Sequence, residues 1–217
     1  MFKKIAIIVT SLIMTANLSS CAAQTISLPS PQTKGGMSLA EALATRHSTR
    51  EFDASKQLTE QQISDLLWSG AGINRPESKM RTNPTAMNTQ EIDLYLFTKD
   101  GVYLYDPEGN LLDKKADGDH RALIAGNKQF TQDFVMDAPV SVVVIANLDK
   151  FENKSDFNAD MATLDAGIAC ENMLLYCEAA GLATVPRVTM DGPAIRQLLN
   201  LPESHLVLIN APVGYAK

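Results

Sequence analysis

The chain has 217 residues, 45% of them apolar and 20% charged, proportions that fit one globular domain and give no reason for a second core. Its formal charge is −6. An acidic surface repels nucleic-acid phosphates and anionic lipid headgroups, so nucleic acid is not an expected partner, and a membrane is expected only through a covalent lipid anchor.

Met1-Phe2-Lys3-Lys4 opens the chain with positive charge, Ile5 to Met14 is apolar, and Leu18-Ser19-Ser20-Cys21 follows with small residues. These are the parts of an export signal. The apolar run is shorter than the roughly 20 residues that span a bilayer. Leu-Ser-Ser-Cys resembles the bacterial lipobox, which implies acylation of Cys21 and a mature chain that begins there. Ordinary cleavage after Ala23 is the alternative. Residues 1–21 are therefore expected to be a lipoprotein signal peptide. The expected location is the cell envelope, lipid-anchored at the periplasmic or outer-membrane face, or soluble and exported if cleavage follows Ala23.

Residues 22–37, with Pro29, Pro31, Gly35 and Gly36 among small polar residues, predict a flexible tether, and residues 38–217 the folded domain. Ser38-Leu39-Ala40-Glu41 is a capping box, with Leu39, Ala42 and Leu43 on one helical face. Thr59-Glu60-Gln61-Gln62 repeats the device and predicts a helix to about Gly70, with Leu58 and Ile63 as a hydrophobic staple. From Glu91 the period becomes two: Ile92, Leu94 and Leu96 alternate with Asp93, Tyr95 and Phe97. Asp100-Gly101 offers the positive-φ positions of a tight turn before Val102 to Tyr105, predicting a hairpin.

A polar stretch from about Asp113 to Arg121 leads into a short helix, and Val140 to Ala146 is continuous enough for a strand buried on both faces. The longest helix is expected over about Asp160 to Ala180, stopped by Gly181. Its small residues Ala162, Ala166, Gly167 and Ala169 and its few charges predict burial nearly all round. Pro193 to Leu199 reads as a further helix and His205 to Ala211 as a last strand. Cys170 and Cys177, seven residues apart, are separated by about 10 Å along a helix, beyond disulfide reach, and read as core residues.

Few residues suggest chemistry by themselves. Arg46-His47-Ser48-Thr49-Arg50 follows the first helix and offers two guanidinium groups, two hydroxyls and exposed N–H groups. Like charges that close favour an anion between them; a solvated basic helix end is the alternative. Arg81 to Gln90 is a loop dense in amides and hydroxyls, able to bond the edge of a heteroaromatic ring, although loops are polar anyway. His47, His120 and His205 lie far apart without metal-ligand spacing, and the stretch from Asp113 to Asp119 carries Lys115 where a calcium loop needs a ligand. Neither a Gly-x-Ser-x-Gly elbow nor a Walker loop is present.

In order, however, these pieces resemble one family. Arg46-x-Ser48-x-Arg50, Pro84-Thr85-x-x-Asn88-x-Gln90, Asp165-Ala166-Gly167 with Asn172-Met173-Leu174-Leu175, Ala180 to Val185, and Pro212-Val213-Gly214-Tyr215 look like the FMN-dependent nitroreductases over about Ser38 to Tyr215. Gly72 to Leu96 with Gly101 to Pro107 is most similar to the branch containing azoline-oxidising enzymes. The resemblance implies an α+β homodimer: a central antiparallel or mixed sheet flanked by helices, with a long buried central helix. It implies FMN at the dimer interface, reduced by NADH or NADPH in relatives and passing hydride to a nitroaromatic, quinone or similar acceptor in a ping-pong scheme.

By the same resemblance, Arg46 meets the FMN phosphate and ribityl chain with His47 and Ser48 beside it, and Arg50 lies near N1 and O2 of the ring. Pro84, Thr85, Ala86 and Asn88 reach the flavin from the second subunit, and the loop Pro186 to Thr189, with Val188 and Thr189, approaches C4 and N5. No side chain need be catalytic, since the cofactor carries the chemistry. This chain departs from the family at three points. Only Lys217 is available where relatives place a basic residue beyond the last strand. Ala86 lacks a hydroxyl, and Asn88-Thr89-Gln90 replaces a Tyr-Pro pair of the azoline-oxidising branch. The rival reading is a non-enzymatic surface lipoprotein that binds flavin or another flat ligand.

Overall fold

One long helix laid across an antiparallel sheet organises the molecule. The computed structural model describes residues 24–217, so the expected signal peptide and Cys21 lie outside the described residues. In chain order the elements are β1 (Thr25–Ser27), α1 (Leu39–Thr45), α2 (Glu60–Ala71), β2 (Ile73–Arg75), β3 (Met80–Arg81), β4 (Ile92–Phe97), β5 (Gly101–Asp106) and β6 (Leu111–Asp117). Then come α3 (Ala122–Ala125), β7 (Val140–Asn147), α4 (Asp156–Ala179), β8 (Ala183–Thr184), α5 (Gly192–Leu198) and β9 (His205–Gly214). Seven strands form one sheet in the order β1-β6-β5-β4-β7-β9-β8, every pairing antiparallel, and β2 pairs with β3 apart from it. The fold is α+β, with helices on both faces of the sheet.

β7 is buried on both faces because the sheet separates two cores. Val140, Val142, Val144 and Ala146 pack with Leu66 and Leu67 of α2 and with Ala162, Ala166 and Met173 of α4. Val143 and Ile145 meet Ile124 of α3 and Ile195 of α5 on the other side. Both capping boxes form: the Ser38 N–H donates to Glu41 at 3.0 Å and the Thr59 N–H to Gln62 at 2.9 Å, while each cap hydroxyl accepts an N–H in return. Gly181 takes φ +67° just past α4, the left-handed position that glycine fills without a Cβ clash.

α4 begins four residues earlier than its apolar pattern suggests, because Ser155 caps it by accepting the Asn158 N–H. Its buried face runs through Ala162, Asp165, Ala166, Ala169, Cys170, Met173, Leu174 and Cys177. Burial all round is not what forms. Phe157, Leu164 and Ile168 are exposed on α4, and Leu39 and Leu43 on α1, where only Ala42 is buried. Nothing among the described residues covers these side chains. Cys170 and Cys177 are both buried and unbridged, and burial pushes the Cys170 thiol up to about 12.

Three local expectations change. The segment expected to be a flexible tether is docked: β1 pairs with β6, the carbonyl of Pro29 accepts from Ser64 and Asn110, and the Gln32 N–H donates to Asp65. These partners lie far along the chain, so composition alone misjudged it. The polar stretch from Asp113 is mostly strand, since β6 adds to β5 with one face toward solvent. The β4–β5 turn does not use positive φ at Asp100-Gly101. It closes through the Thr98 N–H on the Gly101 carbonyl, and Gly101 is needed because a Cβ there would stand 2.5 Å from the carbonyl oxygen of Ala116.

Met173 of α4 is fully buried in the core shared with the sheet. Met173→Ala should cost about 2–5 kcal/mol in urea denaturation. Ser27→Ala, on the exposed edge strand, should stay within about 0.5 kcal/mol.

Candidate functional site

α1 ends when Arg46, its N–H still donating to the Ala42 carbonyl, turns to extended backbone. The next residues run along the sheet edge. The Thr49 N–H donates to the Thr184 carbonyl at 2.9 Å, Phe52 bridges to Ala216, and the Lys217 N–H donates to the Glu51 carbonyl at 3.2 Å. The two guanidiniums do not stand one helical turn apart, because residues 46–50 lie outside any helix. An extended run from residue 46 to 50 spans about 13 Å, and Arg46 already has a partner, Glu171 of α4, at 3.6 Å. The spread suits the two ends of a long ligand instead. His47 is exposed, with Nδ1 2.9 Å from the Thr45 carbonyl; Ser48 and Arg50 are exposed too, and Arg50 has no ion pair among the described residues.

Beside this run lies the loop between β8 and α5. Arg187 and Asn210 exchange backbone hydrogen bonds of 2.8 and 2.7 Å, and the Asn210 amide donates to the Thr189 carbonyl. This leaves Thr189 half-buried and Val188 76% exposed at the tip. The Arg187 side chain turns inward: Nε donates to Gln132 at 2.8 Å, Nη1 to the Ile124 carbonyl and to Asn210 Oδ1, and Nη2 to the Ala125 carbonyl. Phe134 lies under it, 5.5 Å from ring centre to guanidinium. Burial first, and then the charge of Arg50, pulls Arg187 down to about 10, so it stays protonated at neutral pH. Sequence reasoning missed Arg187, Gln132 and Asn210. A single arginine inside the mostly apolar run from Leu182 to Val188 was the available signal.

The third group, Pro84 to Asn88, attaches to α4 from another direction. The Ala86 N–H donates to Asp165 Oδ2 at 2.7 Å, and Thr85 Oγ1 accepts the Gln90 N–H. Met87, Asn88 and Gln90 all adopt φ near +50°, conformations that cost on the order of 1–3 kcal/mol where no glycine takes them. Such strain persists only where neighbours enforce it. Asn83, buried beneath, has no partner for either amide atom, and Glu91, fully buried, has one oxygen bonded by Thr89 and one without a partner. Burial, opposed by Thr89 and reinforced by Asp165, pushes the Glu91 carboxyl above the usual range.

One chain therefore brings Arg46–Arg50 and Pro186–Thr189 side by side. Pro84–Asn88 stands on the same α4 at Asp165, about 9 Å along the axis from Glu171. A cavity of about 200 Å³ opens among His47, Thr49, Glu178, Thr184 and Ala216, and the buried Thr184 hydroxyl has no partner. A roomier one of about 390 Å³, beside Gln62 and Tyr176, is lined by none of the candidate residues. The donor set fits FMN: separated guanidiniums for its anionic end and ring, serine and threonine hydroxyls, and loop N–H groups. Lys217, pinned beside Glu51, is the basic residue that the last strand delivers to this edge.

Comparison with known proteins places the chain. Residues 43–215 match the nitroreductase family model. A nitroreductase-like protein of Ralstonia eutropha JMP134 is 34% identical, with a TM-score of 0.81 over 89% of this chain and 90% of its own. The Escherichia coli microcin synthetase complex McbBCD contains a chain of the same fold, 16% identical with a TM-score of 0.66 over 95% of this chain and 85% of its own. An Anabaena variabilis protein of the same fold, 16% identical with a TM-score of 0.72 over 96% of this chain, is covered over 45% of its own length. Among curated proteins, none matches. The chain belongs to the nitroreductase family, and it is an oxidoreductase by that membership.

Glu91 supplies a pH test. Because its folded carboxyl is raised, the native state holds its proton where the unfolded state has lost it. The contribution of Glu91 to stability is therefore fully present below the ordinary glutamate value of 4.5 and is lost as pH rises through the raised folded value. Glu91→Gln should flatten that decline in urea midpoints measured across pH. An unchanged slope would assign the pH dependence to other groups.

Proposed function

We propose that this chain is an FMN-dependent oxidoreductase that reduces nitroaromatic, quinone or similar flat acceptors in a ping-pong scheme, working as a homodimer. The observation that carries the proposal is the edge at which Arg50, without a carboxylate partner, meets the Pro186–Thr189 loop and the buried Arg187. An anion with a polar ring edge answers both features. When bound, FMN supplies two-electron transfer chemistry. The protein binds and orients: Arg46, with His47 and Ser48, holds the phosphate and ribityl end, Arg50 faces the N1 and O2 side of the ring, and Val188 and Thr189 offer backbone groups at its other edge.

The second copy completes the site in this reading. Pro84, Thr85, Ala86 and Asn88 reach the flavin of the partner, and the left-handed conformations of Met87, Asn88 and Gln90 fit a loop held in readiness for a ligand. Leu39, Leu43, Phe157, Leu164 and Ile168 provide the apolar surface to cover, consistent with an interface above about 2,000 Å² in total. Azoline oxidation is disfavoured, because Asn88-Thr89-Gln90 lacks the Tyr-Pro pair of that branch; the microcin synthetase chain shares only the fold.

If Cys21 is lipidated, the enzyme works in the cell envelope, where NADH and NADPH are scarce. Its electrons then come from a quinol, a reduced thiol protein or another envelope donor. Cys21→Ser should release the protein from the membrane fraction; unchanged association without lipid on Cys21 would contradict the anchor.

The flavin reading is tested by binding. Arg46→Ala and Arg50→Ala should each weaken FMN binding by about 1.5–3 kcal/mol, the loss of a charge-assisted hydrogen bond. Fluorescence titration of apoprotein gives the values, and equal flavin occupancy in wild type and both variants would move the site elsewhere.

A further inference from the structure

Two guanidiniums are buried among the described residues, and they are treated differently. Arg121 has its opposite charge in contact, Asp119 at 2.6 Å. Arg187, equally buried at 7% exposure, has neutral partners only: two backbone carbonyls and the side-chain oxygens of Gln132 and Asn210. Neutral acceptors satisfy its hydrogen bonds but leave its charge uncompensated, which is costly in a protein interior. Arg50, the nearest cation acting on it, makes matters worse. Two cations on adjoining segments, neither with a carboxylate partner among the described residues, favour an anion that shares their field.

The Arg187 charge is also fixed in place. Four of its five N–H groups are donated, Phe134 stacks beneath it, and its own backbone is bridged to Asn210, so no reorganisation is needed when negative charge arrives. Leu, Ile or Met at this position would fill the same space without the electrostatic penalty.

We propose that Arg187 is a positioning residue that, with Arg50, makes the site hold reduced FMN more tightly than oxidised FMN, raising the potential at which the bound flavin accepts electrons. The proposal rests on the flavin reading above. It assigns a role to a residue that need not touch the ligand, since a buried charge acts through a weakly screening interior.

The test uses FMN-loaded wild type, Arg187→Met, Arg187→Lys and Arg50→Met. The two-electron midpoint potential is measured by dye-equilibrated absorbance, beside the dissociation constant for oxidised FMN. Arg187→Met should weaken reduced FMN about tenfold relative to oxidised FMN, a fall of about 30 mV for a two-electron couple, and Arg187→Lys should restore most of it. A purely structural role would weaken both forms equally, and an unchanged potential in Arg187→Met overturns the proposal. If Arg187→Met does not fold, Arg50→Met decides, because Arg50 is exposed. With Arg187 intact its bound FMN should keep a potential above that of free FMN, and equality with free FMN overturns the proposal. Wild type that takes up no FMN defeats the flavin reading and this one with it.

Discussion

The packing of α4 across the sheet is the constraint on which everything else depends. A helix can lie that close to β4, β7 and β9 only if its inner face is built from small or slim side chains, and Ala162, Ala166, Ala169 and Cys170 meet that need. Once seated, α4 positions the candidate segments from its polar margins. Glu171 takes Arg46, and Asp165 takes the N–H of Ala86. Both carboxylates belong to a helix seated in the main core, and the buried Asp165 fixes Ala86 more firmly than the half-exposed Glu171 holds Arg46.

The other support comes from the sheet edge. β8 and the end of β9 carry Thr184, Ala216 and Lys217, which hold residues 49–52 extended. Asn210 in β9 holds Arg187 by backbone and side chain together. Arg50 and Arg187 thus stand on connecting segments that backbone hydrogen bonds tie to the sheet. The surplus is local: the chain as a whole is acidic, yet among the described residues Arg50 and Arg187 have no acidic partners.

Features with local causes were legible in the sequence. Ser38 with Glu41, Thr59 with Gln62 and Gly181 after α4 each depend on residues within four positions, and each forms as expected. The apolar run of β7, interrupted only by Ser141, announced burial on both faces. Features with distant causes were not legible. β1 exists because β6, Ser64 and Asn110 hold it, none of them near it in sequence. The spacing of Arg46 and Arg50 was misjudged, because whether a five-residue run is helical or extended is decided by Thr184 and Ala216. Arg187 belongs to no local pattern at all; its meaning comes from Ile124, Gln132, Phe134 and Asn210, which only the fold gathers.

In the proposed function, the exposed apolar side chains of α1 and α4 and the strained Pro84–Asn88 loop are covered by a second copy of the chain with a ligand between them. Titrating apoprotein with FMN while recording light scattering and flavin fluorescence in one sample addresses both at once. The account predicts a dimer that saturates at one FMN per chain. A monomer that binds FMN fully, or a dimer that leaves FMN fluorescence untouched, would contradict it.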